Sequence, residues 1–345
     1  FIFLCAEVTA VAMLINYISS TPLWITATLV VSTTLIYTLY GGLRASILTD
    51  NFQFSIIIIL LLVSMYSIFS SDLVSYKSIA SNSGVLLSGK YIPNYTSGFT
   101  FFIAVFATNL FHQGNWQRVF AAKNYEVLKK SLKLSFLIII PIVFFMGITG
   151  IIAISVDGKV NPDLAFFSVL LKDKSEFLSI VIIILAITLT ISTVDTLINA
   201  ISSIVVVDGK KIYKRSIKSN FLTLSKVFII ILSIISIIIA SKGYSILYLF
   251  LLADLLCCAA VFTVFYGFYQ RKFVEKSSII SILIGLFLGL LLFPSPDFSK
   301  SILVGTLFSF DLFPNIVSSS LLFWSFLLAT VGPAIVIISY DSFKR

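Results

Sequence analysis

The stretch from Phe177 to Asp208, FLSIVIIILAITLTISTVDTLINAISSIVVVD, decides the architecture. It is long and apolar enough to cross a bilayer as a helix, and the polar residues that interrupt it are not scattered. At 100° per residue Thr188, Ser192, Asp195, Asn199 and Ser202 fall at about 0, 40, 340, 20 and 320°, one narrow face of an Ile/Leu/Val helix. Thr193 stands beside Ser192, about 100° further round. Lipid offers no partner to a hydroxyl, amide or carboxylate, so this seam must look into protein or a wet cavity. Hydroxyls also serve simply to pack helices, at about 1 kcal/mol per contact. An aspartate in the same seam turns the reading towards an ion or solute path.

The rest of the chain agrees with a membrane setting. Of its 345 residues 59% are hydrophobic and only 11% charged, with a mean hydropathy of +1.08, far outside the soluble globular range. The unbroken Ile/Leu/Val/Phe runs fit helices of about 20 residues and not alternating barrel strands, so the expected fold is all-α and polytopic. We read a single transmembrane domain over 1–345 with about ten spans, at 1–18, 22–40, 52–69, 99–111, 134–156, 177–207, 221–240, 244–269, 277–293 and 321–339. The run Ser301 to Phe313 is too short to cross and is expected at the interface or as a re-entrant segment. The chain begins at Phe1 inside an apolar run, which reads as a fragment lacking its N-terminal part and not as a signal peptide.

The formal net charge of +9 raises nucleic acid as a partner, but the placement of the charges argues against it. Alternate loops hold Arg44, the group Arg118 to Lys133, the group Lys210 to Lys226, Arg271 to Lys276, and Lys344 with Arg345; the opposite loops hold far fewer cations. The positive-inside rule places the first set and the C-terminus in the cytoplasm, so the basic clusters are topology signals beside anionic headgroups. Cys5, Cys257 and Cys258 lie in apolar runs, with no disulfide framework and no metal-ligand spacing. One histidine, His112, and no H-E-x-x-H, G-x-S-x-G or Walker motif leave little for an enzyme to work with.

Between the second and third spans stands YTLYGGLRASILTDNFQ, Tyr37 to Gln53. Gly41 and Gly42 are expected to end one helix, and Thr49 with Asp50 to start the next as an N-cap pair. The pattern Y-T-x-x-G-G-L-x-A-x-x-x-T-D-x-x-Q resembles the signature of the sodium:solute symporter family. ISTVDTLINAISSIVVVD is similar to that family's eighth core helix, NLFHQGNWQRVFAAKN from Asn109 to Asn124 to its sixth core helix and the Q-R-x-x-A-A-K that follows, and Leu247 to Arg271 to its tenth. Four matches in order cover essentially the whole chain. The resemblance implies the five-plus-five inverted-repeat fold shared with the bacterial leucine transporter, with Phe1 to Ile18 as part of the third core helix and the first two core helices absent from this chain.

What the resemblance implies for the site follows residue by residue. Ser192 and Thr193 match the paired hydroxyls that help bind the coupling sodium, and the carbonyl of Leu189 matches a backbone ligand. Sodium is a hard cation that takes several oxygen ligands, and in this fold they come from hydroxyls and unwound carbonyls. The ligands of the first core helix lie outside the chain, so half a sodium site is expected. Asp50 is assigned to the inner ion-exit route, and Asp195, inside the seam, is a second residue of the ion pathway; a carboxylate there also leaves a proton open as the coupling ion. Asn109 and His112, in the sixth core helix, and Asp254, in the tenth, are candidate substrate contacts. Glu7, Asp195 and Asp254 are the acids within spans, each costing at least about 2.5 kcal/mol at the bilayer centre.

The expected function is sodium-driven symport of a small polar solute across the cytoplasmic membrane, with the lipid bilayer and the solute as partners and no nucleic acid. Two alternatives remain from other classes: a membrane input module of a sensor histidine kinase, and a paralogue that binds solute without moving it. The solute itself and the oligomeric state are not legible. One sodium ion crossing 100 mV gains about 2.3 kcal/mol, and a tenfold gradient adds about 1.4 kcal/mol. Together these suffice to concentrate a neutral solute several hundredfold.

Overall fold

A computed structural model describes residues 1–71, 76–172, 175–212, 221–269, 275–298, 300–301, 303–304 and 320–343. The expected interfacial run Ser301 to Phe313 lies almost wholly outside those residues, as do Lys214, Arg215, Lys218, Arg271, Lys272, Lys344 and Arg345. Among the described residues the regular structure is helical, apart from an isolated bridge between Pro294 and Ser301.

In chain order the helices are α1 (Ile2–Ser19), α2 (Leu23–Phe69), α3 (Tyr76–Asn82), α4 (Ile92–Phe111), α5 (Gln113–Ala121), α6 (Tyr125–Val156), α7 (Ala165–Leu170), α8 (Glu176–Ser203), α9 (Gly209–Ile212), α10 (Phe221–Ala240), α11 (Ile246–Tyr269), α12 (Glu275–Leu292) and α13 (Leu321–Phe343). Seven of the described helical stretches are long and apolar enough to cross a membrane: α1, α2, α6, Glu176–Ile212, α10, α11 and α13. Glu176–Ile212 runs from α8 through a π-helical turn, Ile204–Asp208, into α9. The protein is therefore a multi-pass membrane protein. Large side chains such as Phe136, Phe144 and Ile180 stand exposed on these helices, as lipid-facing residues should.

The expected spans at 22–40 and 52–69 are the two arms of α2, which runs on across a break at Gly42 (φ 56°, ψ −150°). That backbone region is essentially open to glycine alone. Gly41 is required for a different reason, since a Cβ there would come within 2.3 Å of the Ala45 Cβ. The sequence placed the break correctly and misplaced the restart. The second arm begins at once after Gly42, so Thr49 and Asp50 are interior helical residues and not an N-cap pair. Thr49 Oγ1 faces back onto its own helix, 3.0 Å from the Ala45 carbonyl and 2.9 Å from that of Ser46. Gly42→Ala is expected to cost about 1–3 kcal/mol, although nothing lies within 4 Å of the added methyl, because the penalty is in the backbone. Thermal unfolding of the purified protein in detergent checks this; an unchanged midpoint contradicts it.

The chain divides into two compact units. The first holds residues 1–87 and 113–247. In it α2 packs along α8, and α1 and α10 pack against both. One apolar cluster joins Leu4, Val8, Ala27, Val31, Val194 and Ile198, and a second joins Leu14, Ile68, Phe145, Ile152 and Ile182. Side-chain caps mark two helix starts: Asn124 Oδ1 accepts from the Val127 N–H at 2.9 Å, and Ser175 Oγ from the Leu178 N–H at 3.5 Å.

The second unit holds residues 88–112 and 248–345. Its tightest packing is α12 on α13, where small residues let backbones approach. A Cβ on Gly285 would lie 2.2 Å from Pro333 Cγ, and one on Gly289 2.9 Å from Ala329 Cβ. Ser281 Oγ donates to the Pro333 carbonyl at 2.8 Å and so receives the Thr263 hydroxyl, also at 2.8 Å. Helix α4 starts earlier than the apolar run at 99–111 suggested, because Pro93 near its first turn tolerates the missing N–H there.

Candidate functional site

The polar seam of α8 is the centre of the first unit. Asp195 is fully buried, and the two arms of α2 converge on its carboxylate. Tyr37, before the Gly42 break, donates its hydroxyl to Oδ2 at 2.7 Å. Ser46, after the break, donates to Oδ1 at 2.9 Å, and Thr49 Oγ1 lies 3.4 Å from Oδ2. Thr196 Oγ1 stands 3.3 Å from Oδ1. A carboxylate offers about four acceptor positions, and neutral hydroxyl donors surround this one. It thereby clamps both sides of a broken helix.

One helical turn away, the same seam meets the second acid. Ser192 Oγ donates to Asp50 Oδ1 at 2.8 Å, while Arg118 Nη2 on α5 pairs with Asp50 Oδ2 at 2.6 Å. Arg118 Nη2 also donates to Thr196 Oγ1 at 2.8 Å, and its Nη1 to the Gly114 carbonyl at 3.3 Å. Thr196 therefore links the surroundings of the two carboxylates. Further along, Gln117 Nε2 donates to the Asn199 carbonyl at 3.3 Å, Gln113 Nε2 to Ser203 Oγ at 3.4 Å, and Ser202 Oγ to Ser225 Oγ at 3.3 Å. Three of the five seam side chains, Ser192, Asp195 and Ser202, thus meet polar groups of neighbouring helices; Asn199 is reached through its backbone carbonyl, and among the described residues Thr188 bonds only to the Ile184 carbonyl of its own helix, at 2.6 Å.

The expected sodium ligands lie within a single turn of α8. Thr193 Oγ1 donates to the Leu189 carbonyl at 3.1 Å, and Ser192 Oγ spends its proton on Asp50. Both hydroxyls keep oxygen lone pairs for a cation, and a carbonyl has two. The donor set is therefore chemically suited to a hard cation and numerically incomplete for one.

Arg118 was read from sequence as a topology signal; it is the counter-ion of Asp50. Tyr37, Ser46, Thr49 and Thr196 were not singled out at all as partners of Asp195. The one available signal was chemical: two acids near apolar spans need partners, and the Q-R of the Asn109–Asn124 segment was the nearest intramembrane-type donor pair.

The candidate substrate residues belong to the second unit. His112 is not helical: α4 ends there with extended backbone (φ −68°, ψ 100°), and α5 begins at Gln113. Asn109 Nδ2 donates within α4 to the Val105 carbonyl at 2.8 Å. Asp254, 7% exposed in the middle of α11, accepts the Thr108 hydroxyl of α4 at 2.6 Å.

A helix broken at Gly42, an ion pair between Asp50 and Arg118 and a hydroxyl-bearing helix beside them form an arrangement of the kind membrane transporters use. The model of the sodium:solute symporter family matches residues 1–285, and the chain belongs to that family. It is similar to the spermidine transporter DUR31 of Candida albicans, with 27% identity over 266 residues, 74% of this chain and 49% of the relative. The chain spans about half the length of that curated relative.

Proposed function

We propose that this protein carries out sodium-coupled import of a small polar solute across the cytoplasmic membrane, as a single membrane domain of the five-plus-five inverted-repeat type with its C-terminus inside. The observation that supports this best is that Ser192 bonds the Asp50 carboxylate while the adjacent Thr193 hydroxyl meets the Leu189 carbonyl, in a chain of this family. External sodium binds the three α8 oxygens together with ligands supplied from outside this set. Ser192 is held in place by its bond to Asp50, which leaves the lone pairs of its oxygen to the ion.

Asp50 then lies on the route inward. A bare carboxylate would trap a departing cation, whereas Arg118 already balances this one, so sodium passes without a deep well. Asp195 serves the pathway by holding the two arms of α2 in register around Gly42. Sodium and solute binding are reciprocal: each tightens the other by the same factor.

The relative named for spermidine makes a polyamine the first solute to test. The energetics differ from those of a neutral cargo. A solute with about three ammonium groups at neutral pH gains about 2.3 kcal/mol per charge from each 100 mV. Membrane potential then supplies much of the drive, and sodium acts mainly by setting affinity. The experiment is uptake into sealed liposomes of the protein expressed from its complete gene, with potential and sodium gradient varied separately and spermidine, urea and proline as solutes. Sodium-stimulated uptake of one solute, reduced at least about tenfold in Ser192→Ala/Thr193→Ala, is the expected result. Uptake that ignores sodium in both proteins contradicts the reading.

A further inference from the structure

Asp50, Asp195 and Asp254 are not equivalent, and of the three only Asp195 and Asp254 are buried. Asp50 is paired with Arg118, and Asp195 is ringed by hydroxyl donors. Asp254 has neither: among the described residues Thr108 is its one hydrogen-bond donor, through Oδ1, and no cation pairs with it. A carboxylate in a bilayer span with one of its oxygens unserved is costly, and a cation is what relieves that cost.

A second feature of the same place points the same way. Thr108 sits in the last turn of α4, which stops at His112. The C-terminal turn of a helix carries about half a negative charge. The Thr108–Asp254 contact therefore brings a carboxylate against a negative helix end, an arrangement that disfavours itself until a cation arrives. At such broken helices the C-terminal ends are the ones that face cations.

The chemistry of the surroundings selects among cations. On α11 the buried neighbours of Asp254 are Leu251, Ala253, Leu255 and Cys258, and the Cys258 thiol reaches the Ile103 carbonyl at 3.8 Å. One carboxylate and one hydroxyl are too few side-chain oxygens for a sodium ion stripped of its water. They suit an ammonium group, which has three donors and carries its own apolar stem.

We propose that Asp254 and Thr108 form the ammonium-recognition site of the second unit, Asp254 supplying the counter-charge and Thr108 holding its carboxylate at the end of α4. This rests on the transport reading above and names its solute class as an alkylammonium cation.

The test compares spermidine with spermidine acetylated on its terminal amines, in binding and in uptake, using the protein from its complete gene. Wild type should prefer the free amine. Asp254→Asn should lower spermidine affinity at least about 30-fold and abolish the preference, with sodium affinity unchanged. Thr108→Val should weaken spermidine binding less, and Thr108→Ser should restore it; this pair decides the matter if Asp254→Asn does not fold. Unchanged spermidine affinity in both Asp254→Asn and Thr108→Val overturns the inference, as does a preference for the acetylated compound. A loss of sodium affinity in Asp254→Asn equal to the loss for spermidine also overturns it, since Asp254 would then be an ion ligand. If spermidine binds through Asp254 but is never moved, the transport reading fails and the site stands.

Discussion

Asp195→Ala is expected to be the most destabilising single substitution in the first unit, by about 3 kcal/mol or more. The reason is not the loss of a charge but the loss of an acceptor. Tyr37 and Ser46 both spend their hydroxyl protons on this carboxylate, at 2.7 and 2.9 Å, and Ser46 is fully buried. Each buried donor left without a partner costs about 1–3 kcal/mol. Because the two donors stand on opposite sides of Gly42, the damage also falls on the geometry of the break. A cycle of Asp195→Ala with Tyr37→Phe/Ser46→Ala, read by thermal unfolding in detergent, checks this. The combined variant should be more stable than the separate losses predict, because the hydroxyls that would be stranded are gone. Strict additivity contradicts the clamp.

The second large effect concerns Arg118 and Asp50. Removing either alone leaves the other unpaired beside a span, and because the two side chains are 36% and 24% exposed, solvent screening holds the cost to about 1 kcal/mol. Arg118→Ala and Asp50→Ala should each destabilise by about that amount and reduce uptake at least about tenfold. Arg118→Met/Asp50→Leu should recover most of the stability, since an apolar pair of similar volume can replace an ion pair at little cost. It should not recover uptake, because Ser192 would then lack the carboxylate that orients it. A double variant that transports normally would show that the pair is only structural.

These two effects also mark where the sequence was readable. The all-helical membrane character followed from long apolar runs, which leave the backbone no alternative to helix in lipid. The polar face of α8 followed from its 3.6-residue period, and the glycine break from Gly41–Gly42. What periodicity cannot supply is pairing. Tyr37 and Ser46 lie 158 and 149 positions from Asp195, and no local pattern says that they meet. The pairing of Arg118 was not legible because an arginine at a span end satisfies the positive-inside rule whether or not it also meets a carboxylate. Thr49–Asp50 imitated an N-cap because an Asx or Thr after glycine has the same composition in either setting; the bonds of Asp50 to Ser192 and Arg118 held it inside the helix instead. The Asp254–Thr108 contact was half legible: the acid stood out, its partner did not.

The most direct test of the central claim is the sodium affinity of the purified protein, measured by titration calorimetry with and without saturating solute. Sodium should bind, solute should tighten it by the same factor by which sodium tightens solute, and Ser192→Ala/Thr193→Ala should abolish both effects. Sodium binding that survives in the double variant, or that solute leaves unchanged, would contradict a coupling site on α8.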